Sequence, residues 1–189
     1  MKKIIALILA LVLACACFAA CSAEDGKITD ESNTGSDVTV KDVTAAAVLD
    51  EVKNALGEYY GADADIPAEI LADTYGVKTE WVEEYAAQMP MISFRIDTYM
   101  VIKAKDGHAE DVEKALTDYH TYQVENSMQY PVNVPKLKAA KVARIGDYVL
   151  FILTGYVPDE FMDDEEGAFK YAADNNQMVI DKVEEFLTK

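Results

Sequence analysis

Residues 149–153 read Val-Leu-Phe-Ile-Leu, directly after a Gly146-Asp147 dipeptide and Tyr148. A strand sends alternate side chains to opposite faces, so a run that is apolar at every position has no face to give to water. Gly-Asp between two apolar segments is a two-residue hairpin signal, and it joins Val142–Ile145 to Tyr148–Thr154. Val149–Leu153 is therefore read as the central strand of a sheet. Upstream, Val48, Leu49, Val52 and Leu56 sit at helical spacing, and Gly57 can end that helix. Asp63-Ala64-Asp65-Ile66-Pro67 reads as a turn, and Ala68–Tyr75 as a short helix closed by Gly76. Trp81–Phe94 is ambiguous: Tyr85, Ala87, Met89 and Met91 alternate like a strand, but Pro90 confines it to an edge or a bulge. Asp97–Lys105 is a clearer strand, with Met100, Ile102 and Ala104 on one face and Tyr99, Val101 and Lys103 on the other. Asp106-Gly107 turns the chain into a helix with Val112, Ala115, Leu116, Tyr119 and Gln123 on one stripe, and Pro131 and Pro135 break the chain after it. In the last helix, Asp163–Glu166 puts an acid cap ahead of an acidic first turn, which suits the helix dipole. Its stripe runs through Phe169, Ala172, Ala173, Val179, Ile180, Val183 and Leu187. The predicted fold is α+β: a small, mostly antiparallel sheet of about four strands with one Gly-Asp hairpin, covered by helices.

The N-terminus has a different character. Met1-Lys2-Lys3 precedes Ile4–Cys21, a run with no polar side chain. Its first half is Leu/Ile-rich and its second half turns to small residues, which is the pattern of a cleaved export signal. An uncleaved anchor helix is the competing reading. Cys15, Cys17 and Cys21 all lie here and the rest of the chain has none, so a disulfide framework, cysteine metal site or cysteine nucleophile is excluded from the folded part. Phe18-Ala19-Ala20-Cys21 resembles the lipobox of bacterial lipoproteins, with Phe18 where Leu is usual, and Val12-Leu13-Ala14-Cys15 is the alternative match. The resemblance implies lipidation at Cys21 and two acyl chains, enough for stable anchoring. Residues 1–20 are then a signal peptide, and residues 21–42 the lipidated cysteine and a flexible acidic tether without aromatic residues or a helical stripe. Residues 43–189 form one extracytoplasmic domain.

Charge narrows the function classes. The chain carries 34 Asp+Glu against 17 Lys+Arg, a formal net charge of −17. Such a balance argues against nucleic acid as a partner, because that needs Lys and Arg to replace counterions along the phosphates. It also argues against a polybasic face docking on anionic lipid.

No motif carrying chemistry stands out. His108 and His120 are the only histidines, and their spacing turns them about 120° apart on one helix. They are read as a helix-start residue and a surface residue. Ser127 follows His120 by seven positions without an oxyanion loop, and there is no G-x-S-x-G elbow, S-x-x-K or glycine-rich phosphate loop. Asp63-Ala64-Asp65 begins like a calcium loop, but Pro67 and Thr74 occupy positions where ligands are needed. Asp159-Glu160 with Asp163–Glu166 packs six carboxylates into eight residues, read as a solvated helix start and, alternatively, as a loose divalent-cation site. Lys136, Lys138, Lys141 and Arg144 are read as sheet-edge residues, with a docking site for an anionic group as the alternative.

The layout resembles a family of small bacterial lipoproteins, the domain of unknown function 4358. The matching stretches are the lipobox, Met89-Pro90-Met91, the strand Tyr99–Asp106, the Val112–Leu116 helix and Ile145–Ile152, covering roughly residues 66 to 187. The resemblance implies an exported lipoprotein of a Gram-positive-type envelope and transfers no functional residue. The expectation is a non-enzymatic binding module on the outer face of the cell membrane, with no catalytic residue, metal or cofactor. Its partners would be the membrane through the lipid anchor, and an envelope protein or cationic ligand. An envelope-polymer enzyme using Asp/Glu acids and a divalent-cation-responsive module are the alternatives.

Overall fold

The computed structural model describes residues 39–189 except Ser93. The predicted signal peptide, Cys21 and the tether up to residue 38 lie outside the described residues. The domain is a five-stranded antiparallel sheet between two layers of helices. The strands are β1 (Ala64–Asp65), β2 (Val82–Met89), β3 (Thr98–Ala104), β4 (Lys141–Ile145) and β5 (Tyr148–Leu153). They lie in the order β1-β2-β3-β5-β4. The helices are α1 (Ala45–Leu56), α2 (Ala68–Asp73), α3 (Ala109–Asn126), α4 (Val134–Lys138) and α5 (Glu165–Thr188).

Alternation in the strands explains the two layers. Tyr99 and Val101 of β3, with Leu150 and Ile152 of β5, share one face and pack against Val48 and Val52 of α1 and Val179 and Val183 of α5. Met100 and Ile102, with Val149, Phe151 and Leu153, point the other way, onto Val112 and Leu116 of α3 and Leu71 of α2. All six residues of β5 are buried, as a strand apolar on both faces requires.

Local signals set the boundaries. Thr44 caps α1 by accepting a bond from the Ala47 N–H (3.2 Å), and Gly57 ends it at φ 55°. That left-handed conformation suits a residue without Cβ. Gly146, at φ 59°, turns β4 into β5. Asp164 caps α5 by accepting from the Gly167 N–H at 2.9 Å.

Several expectations need correction. The central strand is β3, with β5 beside it. The segment read as a turn, Ala64–Asp65, is a fifth strand, paired with Met89 and Gln88. Two residues carry too little pattern to announce a strand, and the pairing comes from β2. The ambiguous stretch forms β2, which ends before Pro90 and takes a register shift between Val82 and Glu84. Pro131 and Pro135 do not simply break the chain: each sits at the start of a helical turn, where a missing N–H costs nothing. Phe169, placed on the apolar stripe of α5, is exposed, and Ala168 is buried in its stead.

The chain joins the fold earlier than its composition suggests. Val40 packs against the core, and the Lys41 N–H donates to Leu187 O at 2.8 Å. The Tyr148 hydroxyl accepts from the Val43 N–H (2.9 Å) and donates to the Val43 carbonyl (2.5 Å). These contacts hold residues 40–43 beside the Gly146-Asp147 turn and the C-terminus of α5. Strand directions place the segments 57–63, 90–97, 127–140 and 154–164 at the opposite end of the sheet.

Candidate functional site

Those four segments form one structure around a buried carboxylate. Asp97, fully buried just before β3, accepts the Gly155 N–H (2.9 Å) and the Tyr99 hydroxyl (3.2 Å) on Oδ1, and Arg95 Nε–H (3.2 Å) on Oδ2. Two glycines make room for it. A Cβ on Gly155 would stand 2.2 Å from Asp97 Oδ2, and one on Gly61 would stand 2.1 Å from Arg95 Nη2 and 2.3 Å from Asp97 Oδ1. One acid thus bonds Gly155 to the β2–β3 connection and packs closely against Gly61. Burial, and then the neighbouring Asp97 charge, hold the Tyr99 phenol well above its ordinary range, so it stays a donor. Tyr60 stacks on Tyr99 with centroids 4.5 Å apart, and burial followed by Asp50 and Asp65 pushes its phenol up too.

Two buried asparagines attach the remaining segment. Asn133 donates from Nδ2 to Phe94 O at 2.8 Å. Asn176 of α5 accepts the Thr154 N–H (3.0 Å) and donates to Ala139 O (2.8 Å), spanning residues 154 and 139 from below. Tyr59 stacks on Tyr156 at 4.3 Å.

The outer rim of this end is apolar. Met91 is 78% exposed, Met128 fully exposed, and Ile92, Phe94, Tyr130 and Met162 are between 57% and 62% exposed. Sets of large apolar side chains exposed together mark interaction surfaces. Between residues 131–136 and 157–165 the rim opens into a cleft with a cavity of about 90 Å³. Val132, Pro135, Phe161 and Met162 form apolar walls, and Lys136, Asp159 and Glu165 contribute the charges. The Lys136 ammonium makes no ion pair or hydrogen bond among the described residues, its carbonyl accepting the Ala139 N–H at the end of α4. Burial pulls its ammonium below the usual lysine value, Asp97 pulls it back up, and Arg95 lowers it again.

The residues singled out in the sequence are mostly dispersed. His108 precedes α3 and contacts Asp111 (2.8 Å) through Nδ1, while His120 is half-buried, with Nε2 2.8 Å from Leu137 O. The latter is therefore a structural link between α3 and α4 rather than a surface residue. Ser127 donates to Gln123 O and does not meet His120. Asp63 accepts the Met91 N–H (2.8 Å), and Asp65 accepts from Gln88 (2.7 Å). The four basic residues split up. Lys141 and Arg144 lie on the edge strand β4 and point to opposite faces, Lys141 to Gln177 (2.8 Å) and Arg144 to Glu113 (2.8 Å). Lys136 alone reaches the cleft. Among the described residues no three His, Cys, Asp or Glu side chains are placed to hold a metal ion, and Asp159–Glu166 is no exception.

Sequence reasoning missed Asp97, Arg95, Gly61 and Gly155. Asp97 reads only as the first residue of the strand Asp97–Lys105, and the glycines meet it from 36 and 58 positions away. The stretch Met89-Pro90-Met91-Ile92-Ser93-Phe94 did hold a signal: a proline ends the strand while apolar residues continue beyond it.

A family described as a domain of unknown function (DUF4358) matches residues 57–154. The chain belongs to this family. The DUF4358 match starts at Gly57, where α1 ends, and finishes after β5, so it holds the whole sheet together with α2, α3 and α4. It includes Gly61, Arg95, Asp97 and Lys136 and leaves out α1 and α5. The resemblance read from sequence extended further, to about residue 187. No curated protein and no solved structure matches the chain.

Proposed function

We propose that this DUF4358 protein is a non-enzymatic binding module, lipidated at Cys21 and held on the outer face of the cell membrane. It engages a partner in the envelope through the end of its sheet that carries residues 57–63, 90–97, 127–140 and 154–164. The observation that carries this reading is the gathering of exposed Met91, Ile92, Phe94, Met128, Tyr130 and Met162 at that one end. A buried network fixes the loops that bear them, so the surface is presented without a large ordering cost on binding. The acid at the centre, Asp97, is fully engaged in holding loops, which suits scaffolding rather than proton transfer. The apolar run ending at Ala19-Ala20-Cys21 supports the anchor.

Two experiments test the proposal. Cys21→Ser is expected to abolish metabolic lipid labelling; labelling that survives and vanishes only in Cys15→Ser moves the anchor. A photo-crosslinking residue at Ile92 is expected to give a discrete adduct in cells, and the same residue at Asp147, at the far end, none. Adducts at position 147 and none at 92 would remove the loop end as the binding surface.

A further inference from the structure

We propose that the cleft between residues 131–136 and 157–165 receives a segment of a partner protein in which apolar side chains are flanked by lysine or arginine. The inference rests on the reading of the loop end as a binding surface and names the chemistry of its occupant. The walls are apolar, and Met162 stands at the mouth, exposed. The border is acidic: Asp159 and Glu165 line the cleft, and Glu160, Asp163 and Glu166 adjoin them. None of these five carboxylates has a cationic partner among the described residues. Some acids elsewhere in the fold do, while others such as Asp63, Glu69 and Asp106 are also without one among the described residues but do not border an apolar cleft. Asp118 meets Lys114 at 2.6 Å, Glu113 meets Arg144 at 2.8 Å, and Glu185 meets Lys189 at 2.8 Å.

Unpaired like charges beside an exposed apolar floor repel one another until a partner brings the opposite sign. A basic-apolar segment satisfies both features at once: its apolar side chains fill the cleft and its cations meet the border. Lys136, unpaired on the inner wall, offers its ammonium to a main-chain carbonyl of the same segment. Two other occupants fit less well. A second copy of a chain carrying −17 would bring the same acids against themselves, and an anionic lipid surface would be repelled by the border.

The test uses the full chain in nanodiscs of zwitterionic lipid, with empty discs subtracted. The probes are short fluorescent peptides: one with leucine pairs flanked by lysines, one with glutamate replacing lysine, one with serine replacing leucine. The Leu/Lys peptide is expected to bind saturably and less tightly as salt rises, with the other two at least tenfold weaker. Val132→Ser with Met162→Ser, and separately Asp159→Lys with Glu165→Lys, should each cost tenfold or more. Asp106→Lys with Asp181→Lys, away from the cleft, should cost less than twofold. Should the first pair melt early, the charge pair carries the test. Equal losses from the distant pair would reduce the effect to bulk charge and overturn the proposal, as would equal binding of the Leu/Glu or Ser/Lys peptide. Concentration-dependent self-association through the cleft, or binding to anionic vesicles, would also overturn it. If no peptide binds while the Ile92 adduct persists, the basic partner falls and the binding surface stands; loss of both removes the surface.

Discussion

Replacing Asp97 by alanine tests whether one carboxylate organises the loop end. The substitution removes acceptors from three donors, and they do not cost the same. The Tyr99 hydroxyl is buried and the Gly155 N–H part-buried beside Asp97, and a donor left without a partner away from water costs about 1–3 kcal/mol. Arg95 is 40% exposed at its side chain, so water can replace its bond, and the solvent-screened pair contributes little. The expected loss is therefore about 2–6 kcal/mol. Asp97→Asn keeps an acceptor for Gly155 N–H and turns an amide toward Arg95, so a loss of about 1 kcal/mol is expected. Urea unfolding with a common slope gives the stabilities. Hydrogen exchange locates the damage, with faster exchange expected at Gly155 and across residues 57–63 and little change at Val149–Ile152 in the middle of β5. An alanine variant within 1 kcal/mol of wild type, with native exchange at Gly155, would refute the hub.

Phe151→Ala, in the fully buried β5, is expected to cost about 3–5 kcal/mol, whereas neutralising Asp159, Asp163 and Glu166 together should move stability by only about 0.5 kcal/mol per site or less; thermal melts compare them. Asn176→Ala leaves Thr154 N–H and Ala139 O unpaired in the interior, for about 2–4 kcal/mol by urea titration. Tyr60, Tyr75 and Tyr99 are held neutral by burial above the ordinary tyrosine value of 10.0. Their stabilisation is complete below pH 10 and is lost as pH rises beyond it. Phenolate absorbance from these three should therefore appear together with unfolding; ionisation in a domain that stays folded would refute the assignment.

What could be read from the sequence was what local pattern encodes. The alternation in Tyr99–Ala104, the Gly146-Asp147 turn, and the stripe Ala172, Val179, Ile180, Val183, Leu187 each carry their structure within a few residues, and each appears as expected. Failures arise where tertiary contacts decide. Ala64–Asp65 is a strand because β2 offers Gln88 and Met89 for pairing. Residues 40–42 have the composition of a tether, yet Lys41 and Asp42 are fixed by Leu187 and Lys103. The candidate site was the least legible part. Its centre is a contact among Asp97, Gly61 and Gly155, which share no periodicity, and its rim consists of apolar residues that pattern reasoning assigns to an interior.

The described chain joins the fold at residues 40–43, beside the hairpin turn, and the exposed rim lies at the far end of the same strands. A load applied between these two poles would run along the strand axes. The hydrogen bonds of β3 with β2 and β5 would then resist together in shear, instead of opening one after another as at a peeled edge. The lower attachment is also shared: Lys41 is held by the last turn of α5, Val43 by β5 through Tyr148, and Asp42 by β3 through Lys103 at 2.6 Å. Tension on the leader would thus spread over a helix and two strands before any one of them had to yield. Under the anchored binding role proposed above, a domain wired in this way would act as a mechanical coupler, keeping its grip on a partner at one pole while pulled from the other.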